Sequence, residues 1–236
     1  MKKHIPNFLT LGNLFFGCLS LVNIYNDSML WAAIFVGIAA LFDVADGLVA
    51  RLLKTGSPLG AQLDSLSDVV SFGVVPASMA FVMIKYNTET TAGTPYWTYI
   101  AFLIALASAY RLAKFNIDNE QHHYFKGMPT PANALFWAAL SAHWAVTGFI
   151  WQPEQLLIFA VVLSFLLVCN MRMFSLKVTD WSLHAQWVLY LFIVFVTVAV
   201  AVFDFLGVAL SVVCYPVFSW FYFFVNRSKY KARAGE

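Results

Sequence analysis

Charged residues are scarce in this 236-residue chain, at 11% of the sequence, whereas 61% of the residues are hydrophobic. A soluble globular domain carries about 25% charged residues. Because the few charges stand between long apolar runs, the composition favours a protein that crosses a membrane several times. The formal net charge is only +2, and this weak positive charge argues against a nucleic-acid-binding protein.

Cysteines are also few, and a cleavable leader is not expected. Cys18, Cys169 and Cys214 stand far apart within apolar runs, so their number and spacing give neither a disulfide framework nor a zinc site. The N-terminal apolar run is long enough to span a membrane and lacks a convincing cleavage site. Since there is no internal repeat or soluble segment, we expect one membrane domain over residues 1–236.

Eight apolar segments approach the roughly 20 residues that a membrane-spanning helix needs. They cover approximately residues 8–25, 30–53, 60–84, 97–116, 132–150, 155–172, 185–203 and 206–225. The sequence therefore predicts an all-α integral membrane protein, a bundle of about eight transmembrane helices. The core helices are expected within residues 8–172, and two additional C-terminal helices within residues 185–225.

The basic residues are distributed unevenly between the two ends of these segments. Of the 14 lysines and arginines, all but Lys85 fall at one set of ends. Cytoplasmic loops of membrane proteins carry an excess of lysine and arginine. We therefore expect both termini in the cytoplasm and the protein in the cell membrane, with the polar region 43–68 at the cytoplasmic face.

Carboxylates are concentrated around the turn between the second and third segments. Asp43 and Asp46 are three residues apart at the end of one predicted helix, and Asp64 and Asp68 are four apart at the start of the next. Residues three or four apart share a helix face. The intervening sequence KTGSPLG predicts a tight turn, which would fold the helices antiparallel and bring all four carboxylates to one space.

Four carboxylates at membrane depth need compensating positive charge. Oxygen ligands suit a divalent cation such as Mg²⁺, Mn²⁺ or Ca²⁺ better than Zn²⁺, so we predict a metal site. Two alternatives remain open at this point. The aspartates could pair with Arg51 and Lys54 as a surface cap on the turn, or they could form the cation or proton pathway of a transporter, whose sites usually lie nearer the bilayer midplane.

The residues from Asp43 to Asp68 follow the pattern D-x2-D-G-x2-A-R-x8-G-x3-D-x3-D, with every fixed position filled. This pattern resembles the signature of the CDP-alcohol phosphatidyltransferases. The resemblance implies a membrane enzyme whose aspartates hold one or two divalent cations, usually Mg²⁺ or Mn²⁺. These cations bind the pyrophosphate of a CDP-linked lipid, and the hydroxyl of a second alcohol displaces CMP.

The resemblance also implies roles for individual residues. The implied metal ligands are Asp43, Asp46, Asp64 and Asp68, and Asp68 is also the proposed catalytic base. Four residues are implied to contact CDP-diacylglycerol: Gly47, Arg51, Ser57 and Gly60. Of these, Arg51 would contact phosphate, and Gly60 would let the nucleotide approach.

The residue types around the aspartates add further candidates for binding CDP-diacylglycerol. Small residues, including Ala50, leave room for a ligand to approach the backbone. Asn7, Thr10 and Asn13 lie at three-residue spacing at the start of the first helix. They suit a cytidine or phosphate, and helix capping or helix–helix hydrogen bonding is the alternative. We expect Asn7 and Thr10 to contact the lipid substrate.

Three further segments bear on the acceptor alcohol. Residues 6–14 (PNFLTLGNL), 110–116 (YRLAKFN) and 125–134 (FKGMPTPANA) resemble the branch of the family that uses L-serine. The lysine that follows the last aspartate in many glycerol-phosphate-specific members is missing after Asp68. The expected reaction is CDP-diacylglycerol plus L-serine giving phosphatidylserine and CMP. The nearest alternative is the same chemistry with glycerol phosphate or an inositol (phosphate) as the acceptor. The alternative from another functional class remains a cation or proton transporter that uses the aspartates.

Positive charges near the aspartates are candidates for holding serine. Arg111, Lys114 and Lys126 form a basic rim able to bind a carboxylate or a lipid phosphate, although positive-inside topology would also account for them. Arginine suits a bidentate contact with a carboxylate best, so Arg111 is the first candidate. The resemblance also implies a homodimer, for which small residues on the third and fourth predicted helices would permit close packing.

Overall fold

The protein is described by a computed structural model at residues 4–55, 57–88, 93–117, 125–174 and 183–225. The α-helices over these residues are α1 (Ile5–Tyr25), α2 (Met29–Leu53), α3 (Pro58–Asp68), α4 (Val75–Thr88), α5 (Leu103–Ile117), α6 (Thr130–Thr147), α7 (Pro153–Val168), α8 (Leu183–Phe203) and α9 (Phe205–Val225). A π-helical segment (Val69–Val74) joins α3 to α4, and a 3₁₀-helix (Tyr96–Phe102) leads into α5. The short strands β1 (Phe125–Lys126) and β2 (Arg172–Met173) form an antiparallel pair. The predicted all-helical fold is confirmed apart from this pair.

The continuous helix from α3 through the π-helical segment to α4 is the central helix of the bundle. The Ser57 side chain caps its start by accepting a hydrogen bond from the Gly60 amide (3.0 Å). Within Pro58–Tyr86, 67% of the most apolar stretch is buried. Ala77 and Ala80 are therefore enclosed by the chain itself. The expected homodimer, and the role of small residues in it, stay predictions.

The hairpin of α1 and α2 packs closely against the central helix. Asp27 closes the connection between the two helices with a left-handed backbone (φ 55°). Gly17 on α1 lies directly against Ser71 in the π-helical segment, where a Cβ atom would meet the serine hydroxyl. The Ser71 hydroxyl donates a hydrogen bond to the backbone carbonyl of Asn13 (3.1 Å). This contact fixes the first half of α1 beside the aspartates.

Two buried clusters hold the described helices together. One includes Val36, Phe72 and Met79 and joins α1, α2 and the central helix. The other includes Trp137 and Leu156 and joins α4 to the helices that follow it. Both clusters contain residues of α6, so α6 links the N-terminal hairpin to the C-terminal helices. In a membrane such contacts stabilise a helix bundle through close van der Waals packing.

The β pair is a feature that the hydropathy pattern did not predict. The sixth predicted segment was expected to extend to about residue 172, but α7 ends at Val168. The carbonyl groups at the end of a helix lack partners within that helix. Here the Leu166 carbonyl accepts a hydrogen bond from the Met128 amide (2.9 Å). The segment around β1 thus replaces the next helical turn, and the chain then extends into β2.

Within the part of the chain that the structure describes, five helices are long and apolar enough to cross a membrane. They are Ile5–Tyr25, Met29–Leu53, Pro58–Tyr86, Tyr96–Ile117 and Phe205–Val225. Two further apolar helices are shorter, and one of them, α7, has 16 residues. Such a helix is about 24 Å long, which is less than the roughly 30 Å of a hydrocarbon core. The expected full set of eight spans, and the side on which the termini lie, stay predictions.

Candidate active site

Three of the four predicted metal ligands meet between α2 and the central helix. Carboxylate oxygens of Asp43, Asp64 and Asp68 lie within 4.8 Å of one another. The turn between α2 and α3 produces this geometry. Lys54 ends α2 in a left-handed conformation (φ 51°), and the Thr55 amide donates to the Ala50 carbonyl (3.1 Å). We call Asp43, Asp46, Asp64 and Asp68 the acidic centre.

Asp46 stands apart from the other three carboxylates. It is 6% exposed, and it accepts a hydrogen bond from the Thr10 hydroxyl on α1 (2.5 Å). Its charge still acts on Asp64 and Asp68, so it belongs to the same electrostatic unit. The ligand role of Asp46 stays a prediction, and so does the lipid contact of Thr10. In this structure Thr10 positions a carboxylate.

Asn13 performs the corresponding role for Asp68. Asn13 is fully buried, and its Nδ2 donates a hydrogen bond to Asp68 Oδ1 (3.0 Å). The expected substrate contacts include Asn7 and Thr10 but omit Asn13. The sequence signal for its role is the three-residue spacing from Thr10, which places two hydrogen-bond donors on one face of α1 opposite two carboxylates. Asn13 therefore lies beside the acidic centre and holds one of its carboxylates.

A divalent cation fits the acidic centre. Asp64 Oδ1 is buried and has no hydrogen-bond partner within the part of the chain that the structure describes, so this oxygen can act as a ligand. Grouped carboxylate oxygens are the ligands that Mg²⁺ and Mn²⁺ take in proteins. A surface cap does not explain the arrangement, because Asp68 is only 7% exposed whereas Arg51 and Lys54 are exposed.

The residues predicted to contact CDP-diacylglycerol surround the α2–α3 turn. Beside Gly47 there is open space, since no atom of the described residues lies within 4 Å of the position of a Cβ atom. At Gly60 a Cβ atom would lie 3.0 Å from Asn7 Oδ1 and 3.2 Å from Ser57 Oγ. Gly60 therefore allows α1 and the capping serine to approach α3. Two further residues predicted to contact the lipid lie on α2. Ala50 is half-buried, and the Nε of Arg51 donates a hydrogen bond to the Gly47 carbonyl (2.9 Å). All these lipid contacts stay predictions.

The three residues predicted to hold serine line one small cavity. We call it the basic cavity; its lining residues are Arg111, Lys114, Phe115, Lys126, Leu167 and Val168. Its volume is about 10 Å³, which is room for about one water molecule. The Lys114 ammonium donates a hydrogen bond to Asn170 Oδ1 (2.7 Å). The structure thus brings together residues from α5, β1 and α7 that are far apart in sequence.

Arg111 connects the basic cavity to the acidic centre. It is 8% exposed, and it lies close enough to Asp68 for their opposite charges to attract. Its Nε is buried without a hydrogen-bond partner among the described residues. Leaving a buried donor unpaired costs about 1–3 kcal/mol, and more for a charged group. An anionic group of a ligand would supply the missing acceptor. The site can therefore hold a metal-bound phosphate and an anion side by side.

The chain is similar to known proteins over most of its length. A family model described as CDP-alcohol phosphatidyltransferase matches residues 3–168. A Helicobacter pylori protein named CDP-diacylglycerol–serine O-phosphatidyltransferase is 30% identical over 230 residues, which covers 94% of this chain and 92% of that protein. A Bacillus subtilis protein of the same name is 30% identical over 170 residues, which covers 72% of this chain and 89% of that protein. A Methanocaldococcus jannaschii protein of that name is 37% identical over 131 residues, which covers 56% of this chain and 57% of that protein. The chain belongs to the CDP-alcohol phosphatidyltransferase family.

Proposed function

We propose that this protein transfers the phosphatidyl group of CDP-diacylglycerol to the hydroxyl of L-serine, giving phosphatidylserine and CMP, with Mg²⁺ or Mn²⁺. The observation that carries the proposal is the group of three carboxylates within 4.8 Å, Asp43, Asp64 and Asp68, with the buried Arg111 within electrostatic range of Asp68. The names of the Helicobacter, Bacillus and Methanocaldococcus relatives support serine as the acceptor.

The proposed reaction exchanges one phosphorus–oxygen bond for another. The serine hydroxyl oxygen attacks the phosphorus that carries diacylglycerol, and the bond from that phosphorus to the oxygen of the departing CMP breaks. The hydroxyl proton passes to a base. A bound divalent cation would neutralise the negative charge of the pyrophosphate. The rest of the work is positioning of the two substrates, which is what phosphoryl transfer chiefly requires of a protein.

Asp68 is the base in this proposal. The amide of Asn13 binds Oδ1 of Asp68 (3.0 Å), and we assign Oδ2 to the serine proton. This hydrogen bond fixes the orientation of the carboxylate before serine arrives. Because Asp68 is 7% exposed, bulk water has little access to it. A shielded base favours attack by serine over hydrolysis of the lipid by water.

Arg111 supplies the cation for the serine carboxylate. Its buried Nε lacks an acceptor within the described chain, and a bidentate arginine–carboxylate contact fixes orientation as well as charge. Lys114 and Lys126 line the same cavity and add positive charge. Serine is larger than the cavity of about 10 Å³, so the cavity widens when serine binds.

We further propose that the acidic centre faces the cytoplasm in the cell membrane and that the chain forms a homodimer. Arg51 and Arg111 lie at the end of the bundle that carries the acidic centre, whereas Lys85 lies near the C-terminal end of α4, at the far end of the central helix. This matches the positive-inside rule. Labelling of single cysteines from outside intact cells tests the orientation. Crosslinking in native membranes that yields only monomers would contradict the dimer.

The acceptor test uses the purified protein in detergent with CDP-diacylglycerol and Mg²⁺ or Mn²⁺. CMP release is measured without an acceptor and with L-serine, glycerol 3-phosphate or inositol. We expect release that depends on serine, and none with Asp64→Asn. A preference for another alcohol would keep the transferase and replace the acceptor. The absence of CMP release with every acceptor would contradict the proposal and favour a transporter.

A further inference from the structure

A buried tyrosine of α9 contacts the segment that forms the β pair. Tyr215 is 6% exposed, and its hydroxyl donates a hydrogen bond to the backbone carbonyl of Phe174 (2.5 Å). The two rings also pack edge to face, with centroids 5.0 Å apart. Tyr215 lies outside residues 3–168, the part of the chain that the family model matches, and the proposed chemistry gives it no role.

Phe174 directly follows β2, and β2 determines where β1 lies. The pairing sets Lys126 opposite Arg172, and the Gly127 amide donates to the Met171 carbonyl (2.9 Å). Lys126 lines the basic cavity. A continuous chain of backbone contacts therefore runs from the Tyr215 hydroxyl through β2 to a residue of the proposed serine site.

Both ends of this connection are closely packed. Gly127 adopts a left-handed backbone (φ 79°) against the carbonyl groups at the end of α7, so β1 has little freedom to shift relative to α7. At the other end, the ring of Tyr215 also packs against Phe192 of α8, with centroids 5.8 Å apart. Tyr215 lies close enough to Arg111 for an electrostatic interaction as well. The tyrosine is thus linked to Lys126 through Phe174 and the β pair, and it lies within electrostatic range of Arg111.

We propose that Tyr215 is a positioning residue for the acceptor site: its hydroxyl holds the β pair so that Lys126 stays at the basic cavity. This inference rests on the proposed function, because it assumes that the basic cavity receives serine. It gives the C-terminal helices, which lie beyond the family match, a role in acceptor binding. Tyr215 acts through Phe174 and the β pair and does not touch the substrate itself.

The variant Tyr215→Phe tests the proposal, since it keeps the ring and removes only the hydroxyl. We expect the KM for serine to rise about three- to tenfold, the range for a lost hydrogen bond, while the KM for CDP-diacylglycerol stays within twofold. Tyr190→Phe on α8, where the side chain is half-buried, is the matched control and should leave both constants unchanged. A purely structural role would lower the unfolding temperature of Tyr215→Phe without separating the two KM values, and this result would overturn the proposal.

A double-mutant cycle tests the route through Lys126. If Tyr215 acts by placing Lys126, then Tyr215→Phe adds little to the serine KM of Lys126→Ala, because interacting residues are not additive. Fully additive effects would overturn this route. The proposed function fails separately, when the wild-type protein shows no serine-dependent CMP release. If the wild-type protein is active and the Tyr215→Phe variant has an unaltered KM for serine, only the positioning role is refuted.

Discussion

Replacing Asn13 by alanine removes one hydrogen bond from the proposed base and changes little else. The lost contact is the 3.0 Å bond from Asn13 Nδ2 to Asp68 Oδ1. Ser71 binds the backbone carbonyl of residue 13, so that contact survives the substitution, and alanine favours the helix. A hydrogen bond to a charged group contributes about 1.5–3 kcal/mol. If this bond is needed in the transition state, kcat for serine-dependent CMP release falls about 10- to 150-fold.

The assay measures kcat, both KM values and the metal concentration for half-maximal rate, together with the unfolding temperature in detergent. Asn23→Ala is the matched control, because Asn23 also lies on α1 and donates to a backbone carbonyl, that of Leu19 (2.8 Å), but far from the acidic centre. We expect wild-type turnover for the control. Wild-type kcat and metal dependence in folded Asn13→Ala would refute the role assigned to Asn13.

Substitutions at four further positions, with Gly37 as a control, test other parts of the structure. Asp43→Asn and Asp64→Asn should each abolish turnover while the fold is retained, since either substitution removes a carboxylate from the group of three. Wild-type rates with an unchanged dependence on Mg²⁺ or Mn²⁺ would contradict the ligand assignment. Arg111→Lys should raise the KM for serine by an amount equivalent to roughly 1–3 kcal/mol and leave the KM for CDP-diacylglycerol unchanged; an equal rise in both would place Arg111 on the lipid phosphate. Gly17→Ala should lower the free energy of unfolding by about 1–3 kcal/mol, because a Cβ atom there meets the Ser71 hydroxyl. At Gly37 no atom of the described residues lies within 4 Å of the position of a Cβ atom, so Gly37→Ala should be neutral or stabilising. Equal effects at the two glycines would contradict the packing argument.

The core of the acidic centre was predictable because it depends on local rules. Helical spacing places Asp64 and Asp68 on one face, and the short turn after α2 can only fold the chain back. The structure accordingly brings these two carboxylates to Asp43. The helices were predictable for a similar reason, since long apolar runs leave few alternatives in a membrane.

Contacts between distant segments were not predictable from spacing. Thr10 and Asn13 reach Asp46 and Asp68 only because α1 lies very close to the π-helical segment. That distance depends on the absence of a side chain at Gly17, and hydropathy carries no information about such pairwise packing. The β pair escaped prediction because backbone groups form it, whatever the side chains are.

The central claim is that serine itself attacks the lipid phosphorus. Serine carrying ¹⁸O in its hydroxyl group, given to the purified protein with CDP-diacylglycerol and Mg²⁺ or Mn²⁺, tests this directly by mass spectrometry of the products. The account predicts phosphatidylserine that retains the ¹⁸O in its phosphate ester, unlabelled CMP, and neither product with Asp68→Asn. CMP formed together with phosphatidic acid, with no ¹⁸O in any lipid, would contradict it.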